Sequence, residues 1–214
     1  MRSLGIDVGV RKGLDLVLLD ESLEPRATAR GVDVTALPDV VEKLRPDVVA
    51  VDGPPRWAAQ GRSRRAERDL LRLGIRSYAT PTAARGIGHP FYEWVRVAIE
   101  VFRVTEGRGY PLGGPGPATE RSIEAFSHAS AVVLAGMLPP PGTSKLRWRR
   151  DILRANGVRV EALRSSDQVD AALAALTGIA ALRGRTVAVG DPLDGFIVLP
   201  VPELPAGRYA RGPA

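Results

Sequence analysis

The tightest constraint on this chain is a pair of short apolar runs that each carry an aspartate. Leu4-Gly5-Ile6-Asp7-Val8-Gly9-Val10 holds Asp7 inside a strand-like segment, bracketed by two glycines that allow another backbone or a ligand to approach closely. Asp47-Val48-Val49-Ala50-Val51-Asp52 ends an apolar run on Asp52, just before the turn Gly53-Pro54-Pro55. Runs of this kind belong to strands buried on both faces. A carboxylate there is costly unless it is paired or bound to a cation. Open α/β sheets gather their ligand sites at the carboxyl ends of strands. If the two runs pair side by side, Asp7 and Asp52 come within reach of one metal ion. Taken alone, Asp52 before Gly-Pro-Pro also reads as turn chemistry.

The remaining pattern supports a single α/β domain over residues 1–214, with no internal repeat and no low-complexity linker. Gly13–Leu19 and a weaker Ala27–Val34 follow the first strand, then a helix over Ala36–Leu44 that Arg45-Pro46 stops. Beyond Asp52 the spacing predicts helices at Ser63–Leu73, Phe91–Thr105, around His128–Met137, at Ser144–Ala155 and at Ser166–Leu182. A fifth strand is expected at Ser122–Ser127, after the breaker-rich loop Gly107–Pro117. Thr186–Val189 and Phe196–Leu199 read as a terminal hairpin, and residues 202–214, with three prolines, as a loose tail.

Composition narrows the chemistry. The chain has no cysteine and two histidines, His89 and His128, so thiolate sites and cysteine nucleophiles are excluded. No serine stands in a nucleophile-elbow motif. A metal would be held mainly by oxygen, which points to magnesium or manganese. No apolar run approaches the ~20 residues that cross a bilayer, and Asp7 interrupts what a secretory leader would keep apolar, so a cytoplasmic protein is expected. The other carboxylates of interest are Glu124 in the fifth strand and Asp167 with Asp170, three apart on one face of the last helix. Asp167 also suits an acidic first turn, with Ser165 as N-cap and Gln168 closing a capping box. Carboxylates converging on one point repel, and divalent cations relieve that repulsion, as at two-metal phosphoryl-transfer sites.

Thirty basic against 24 acidic residues leave a net charge of +6, nearly all of it from arginine. Two clusters stand out, Arg56–Arg76 and Lys145–Arg154, and Arg64, Arg68, Lys145, Arg149 and Arg150 are the candidate contacts to a nucleic-acid backbone. The competing reading is a solvated helix surface, with Glu67, Asp69 and Asp151 as internal partners. His128 reads as a structural histidine on an apolar helix, with a proton shuttle or hydrogen-bond partner to Glu124 as the alternative. Trp57, Trp94 and Trp148 are candidate base-stacking rings, with core packing the stronger reading for Trp94.

Gly5-Ile6-Asp7-Val8-Gly9, Val51-Asp52-Gly53-Pro54-Pro55, Arg65-Ala66-Glu67-Arg68-x-Leu70, Ile123-Glu124-Ala125-Phe126-Ser127-His128-Ala129, Lys145 with the arginines after it, and Asp167-x-x-Asp170-Ala171-Ala172-Leu173-Ala174 fall in the order of one family. The chain resembles the domain of unknown function 429 family, predicted nucleases of the ribonuclease H-like superfamily, over nearly its whole length. The resemblance implies a mixed five-strand central sheet flanked by helices, with a helical and loop insertion over roughly 56–118. It implies metal-binding carboxylates at Asp7, Asp52 and Asp170, with Glu124 and Asp167 as additional ligands. The expected function is a magnesium- or manganese-dependent nuclease that hydrolyses phosphodiesters by a two-metal carboxylate mechanism. Two alternatives remain: a catalytically silent nucleic-acid-binding or regulatory protein on the same fold, and an ATP-binding enzyme of the actin and sugar-kinase type. The last needs a duplicated lobe and a second Asp-x-Gly strand, neither of which is found.

Overall fold

In the computed structural model, which describes residues 1–213, seven strands form: β1 (Arg2–Asp7), β2 (Leu14–Asp20), β3 (Pro25–Val32), β4 (Val48–Asp52), β5 (Arg121–Ala125), β6 (Val187–Asp191) and β7 (Gly195–Leu199). They lie in one mixed sheet in the order β3-β2-β1-β4-β5-β7-β6. β1, β4, β5 and β7 run parallel, whereas β2 is antiparallel to β1 and β6 to β7.

The sheet therefore has seven strands, not the five expected. The terminal hairpin does not stand apart, because β7 pairs with β5 at Glu124↔Ile197 and extends the sheet. Its apolar residues explain this: Ile197 and Leu199 pack into one core cluster and Val198 into another. An isolated hairpin is marginal in water, whereas one added to a sheet edge buries both its faces.

The sheet's two faces carry different helices. Leu4, Ile6, Val49 and Val51 face α1 (Leu37–Leu44) and α4 (Glu93–Glu106), packing with Leu37, Val41, Val101 and Phe102. The opposite face carries α7 (Ser166–Leu182), which lies across β1, β2 and β4. This contact is unusually close. A Cβ at Gly5 would sit 1.9 Å from the Ala171 carbonyl oxygen, and one at Gly178 would sit 2.1 Å from Ser3 Oγ. One bare strand position and one bare helix position let α7 lie directly on β1. Its alanines, Ala171, Ala172, Ala174 and Ala175, are all fully buried in that seam.

Between β4 and β5 the chain makes α2 (Arg65–Arg72), the short α3 (Ala83–Gly86) and α4. α4 starts two residues later than its apolar spacing predicts. His89 Nδ1 accepts the Phe91 amide and holds Pro90–Tyr92 in a 3-10 turn first. After β5 come α5 (Ser127–Ala135) and α6 (Lys145–Ala155). The C-terminal segment is pinned rather than loose: Tyr209 donates to the Leu73 carbonyl, and Leu138 exchanges backbone hydrogen bonds with Ala210 and Gly212. Among the described residues no helix is long and apolar enough to cross a membrane.

Candidate metal centre

Strand register alone brings the first two carboxylates together. β1 and β4 pair in parallel with Asp7 opposite Asp52, each the last residue of its strand. Neighbouring strands lie about 4.8 Å apart and directly paired residues point to the same face, so two carboxylates at that register must meet. The face is the one covered by α7. The third arrives with that helix: the close seam at Gly5 lowers the first turns of α7 onto the strand ends, with Asp170 among them. One carboxylate oxygen each from Asp7, Asp52 and Asp170 lies within 4.8 Å of the others.

α7 begins as its sequence predicts. Ser165 is the N-cap and accepts the Gln168 amide, while the Gln168 side chain reaches back to the Arg164 amide. The positive end of the helix dipole therefore faces the cluster and favours carboxylates there.

Electrostatically the cluster is only partly relieved. Burial, then the charges of Asp52 and Asp170, push the Asp7 carboxyl up to about 9. Burial and Asp170 raise Asp52 to about 6, against a hydrogen bond from Ser127 and the charge of Arg149. Burial also raises Asp170, opposed by Arg149, whose guanidinium donates to its carboxylate. At neutral pH the cluster keeps a proton it would give up to a cation. Three oxygen donors from carboxylates, gathered at strand ends with more negative charge than the surrounding residues offset, fit a hard divalent cation such as magnesium or manganese.

The other expected ligands lie differently. Glu124 pairs with Val51, one position short of Asp52, and so belongs to the opposite face of the sheet. There it is buried, at 3% exposure, and is gripped through both oxygens by Arg64. Asp167 is partly exposed on the rim and pairs with Lys12 at 3.4 Å. His128 does not reach Glu124 in a hydrogen bond. Its ring packs between Phe126 and Trp148, and burial, then Arg149 and Lys145, lower it to about 4.

The five candidate phosphate contacts divide sharply. Arg64 is fully buried, and its guanidinium serves Glu124 and Glu67. It also caps α2: Glu67 accepts the Arg64 amide and, from across the chain, the Thr80 amide. Arg149 is 3% exposed and committed to Asp170. Neither sits on an open arginine-rich face as expected; each turns inward to a carboxylate, Arg64 to Glu124 and Arg149 to Asp170. Arg68 is exposed and donates to the Ser63 carbonyl, and Arg150 donates to the Val160 carbonyl. Lys145 is exposed and lines a groove of about 430 Å³ with Arg76, Arg208 and Arg211. None of these four forms an ion pair among the described residues.

One carboxylate escaped the sequence reading. Asp15 pairs directly with Asp7 across β1 and β2 and so faces the same cluster. It is buried, accepting from the Gly31 amide and Ser165 Oγ, with Arg30 at 3.6 Å. The signal was present in Leu14-Asp15-Leu16, an aspartate inside an apolar strand run.

A cavity of about 240 Å³ opens beside Asp7 and Asp52 at the carboxyl ends of β1, β4 and β5. A solved structure of Thermus thermophilus RuvC is similar to this chain, with a TM-score of 0.46 and 16% identity over 85% of this chain and 94% of that one. No curated protein matches the chain. The profile of one family, described as protein of unknown function (DUF429), matches residues 5–194. The chain belongs to that family, DUF429.

Proposed function

We propose that this protein is a magnesium- or manganese-dependent phosphodiesterase acting on nucleic acid, built as a single ribonuclease H-like domain. The observation that carries the reading is the cluster of Asp7, Asp52 and Asp170, three carboxylates whose oxygens converge within 4.8 Å at two adjacent strand ends and the first turns of α7, beside a cavity. Asp7 is central, since it is in register with both Asp52 and Asp15. Asp7 and Asp52 would hold the cation, with Asp170 completing the donor set when it exchanges its contact with Arg149. A divalent cation held there supplies Lewis acidity toward a phosphoryl oxygen and lowers the pKa of water.

The protein's own groups prepare the site. The two strand ends fix the Asp7–Asp52 separation without relying on loop conformation. Ser127 donates its amide to Asp52 and its hydroxyl to the Asp170 carbonyl, tying β4, α5 and α7 together. Arg149 holds Asp170, and its buried Nε has no partner among the described residues. It stands where negative charge on a phosphoryl group would need a donor. Lys145 and the arginines of the neighbouring groove supply the longer-range attraction for a polyanion.

The second reading, a silent nucleic-acid-binding protein, is favoured by the same Arg149–Asp170 contact, which neutralises one ligand without a cation. Purified protein incubated with labelled DNA, RNA, hybrid and branched substrates, with manganese and with chelator, separates the two. Cleavage that needs the metal and disappears in Asp7→Asn is expected. No cleavage of any substrate, with wild type and Asp7→Asn indistinguishable, favours the silent protein.

A further inference from the structure

We infer that the cavity beside the carboxylates is a pocket for one unpaired nucleobase, seated next to the phosphate that the cluster serves. Asp7 and Asp52 line it, and Tyr78, Trp94, Phe126 and Thr80 are among the residues around them. The inference rests on the proposed reaction for the phosphate, and on the cavity alone for the base.

Charge decides what the cavity can accept. Its buried polar wall holds Arg64 against Glu67 and Glu124, one guanidinium facing two carboxylates, beside the Asp7–Asp52 pair. A phosphate is repelled from such a wall, whereas a neutral ring is not. Size agrees: about 240 Å³ falls below the ~300–1,000 Å³ of sites that enclose drug-sized ligands. There is room for one planar ring system, with sugar and phosphate left outside.

Two observations point to an occupant. Thr80 is wholly buried, and its amide is taken by Glu67, yet its hydroxyl has no partner among the described residues. Buried hydroxyls are nearly always satisfied, and a base edge offers both donors and acceptors. Tyr78 lines the cavity while remaining 71% exposed, so it stands at the mouth. Its ring meets Phe91 edge-on at 5.7 Å and lies 6.5 Å from Trp94. An exposed ring supported by other rings is a stacking platform for a base. The substrate is then a strand whose base is already unpaired, or one that can be swung out at a modest unstacking cost.

The test uses nucleosides, which carry no phosphate, titrated into the metal-free protein up to 10 mM (about that limit because isolated bases bind weakly) and followed by NMR. At least one nucleoside should bind while deoxyribose does not. Tyr78→Ala, at an exposed position, should weaken it by about 5- to 150-fold, the worth of one base–ring stack. Thr80→Val should weaken it without unfolding the protein. No nucleoside bound, or binding indifferent to both Tyr78→Ala and Thr80→Val, overturns the pocket. A protein that cuts no substrate yet binds nucleosides this way defeats the reaction and leaves the pocket standing. One that cuts abasic and normal single strands equally well defeats the pocket and leaves the reaction standing.

Discussion

Two acidic clusters, one buried and one half-buried, lie at the same end of the sheet, and they differ in how their charge is met. On one face Glu124 and Glu67 are closed around Arg64, with backbone amides from Arg64 and Thr80 filling the remaining oxygens. On the other, Asp7 and Asp52 face each other with no ion pair of their own among the described residues, and of the three only Asp170 has one, with Arg149. The residue types are alike and the strands adjacent. A carboxylate with an internal guanidinium is a structural joint, here fastening α2 to β5. One left among like charges keeps its proton or takes a metal ion.

This contrast is broken most severely at the metal side. Asp7→Asn or Asp52→Asn should abolish metal-dependent cleavage while leaving the metal-free fold as stable as wild type or more so, because each removes a repulsive charge. Gel assays beside urea denaturation in chelator check both halves. If either variant unfolds, the carboxylates are holding the fold together and the distinction fails.

The structural side should respond in the opposite sense. Arg64→Met leaves two carboxylates buried without a counter-charge, and the expected loss is about 3–5 kcal/mol. Urea denaturation at neutral pH measures it. A loss below about 1 kcal/mol, the level of a surface pair, would remove the claim that Arg64 is a joint.

A smaller effect probes how the clusters are positioned. Gly5→Ala drives a methyl group into the Ala171 carbonyl. It should cost about 1–3 kcal/mol and weaken metal binding by shifting Asp170, whereas Gly207→Ala, at an exposed glycine, meets nothing within 4 Å. Equal metal affinity in Gly5→Ala would show that the seam does not set the site.

A separate effect is in pH. Asp7 is raised from 3.8 to about 9 and Asp52 to about 6, so the folded state holds these protons more tightly than the unfolded chain. Their contribution to stability is fully present below about pH 4 and is lost as pH rises through 6 and then 9. The slope reaches at most about 1.4 kcal/mol per pH unit for each group. Saturating magnesium should flatten that decline. A metal-free protein whose stability rises across pH 5–9 contradicts the assignment.

How much of this was legible in the sequence follows from the same contrast. Asp7 and Asp52 stood out because an apolar strand run tolerates few charges, and Asp170 because the alanine-rich helix behind it had to be buried. Glu124 was expected among them and was not found there. Its strand was recognisable, but its register was not, and a shift of one residue changes the face. Arg64 and Arg149 looked like their neighbours in arginine-rich helices, since periodicity cannot tell which one of several arginines turns inward. The seven-strand sheet was missed because a terminal hairpin carries no mark of the edge it will join. Asp15 carried the same signal as Asp7 and was passed over.

The central claim is that Asp7, Asp52 and Asp170 form a site for a divalent cation that displaces a proton. Isothermal titration of manganese into wild type and Asp7→Asn, at pH 7 in two buffers of different ionisation heat, tests it directly. The account predicts saturable binding to wild type with a proton released to the buffer, and no such binding to Asp7→Asn. Binding that is the same in both proteins, or absent from wild type, would contradict it.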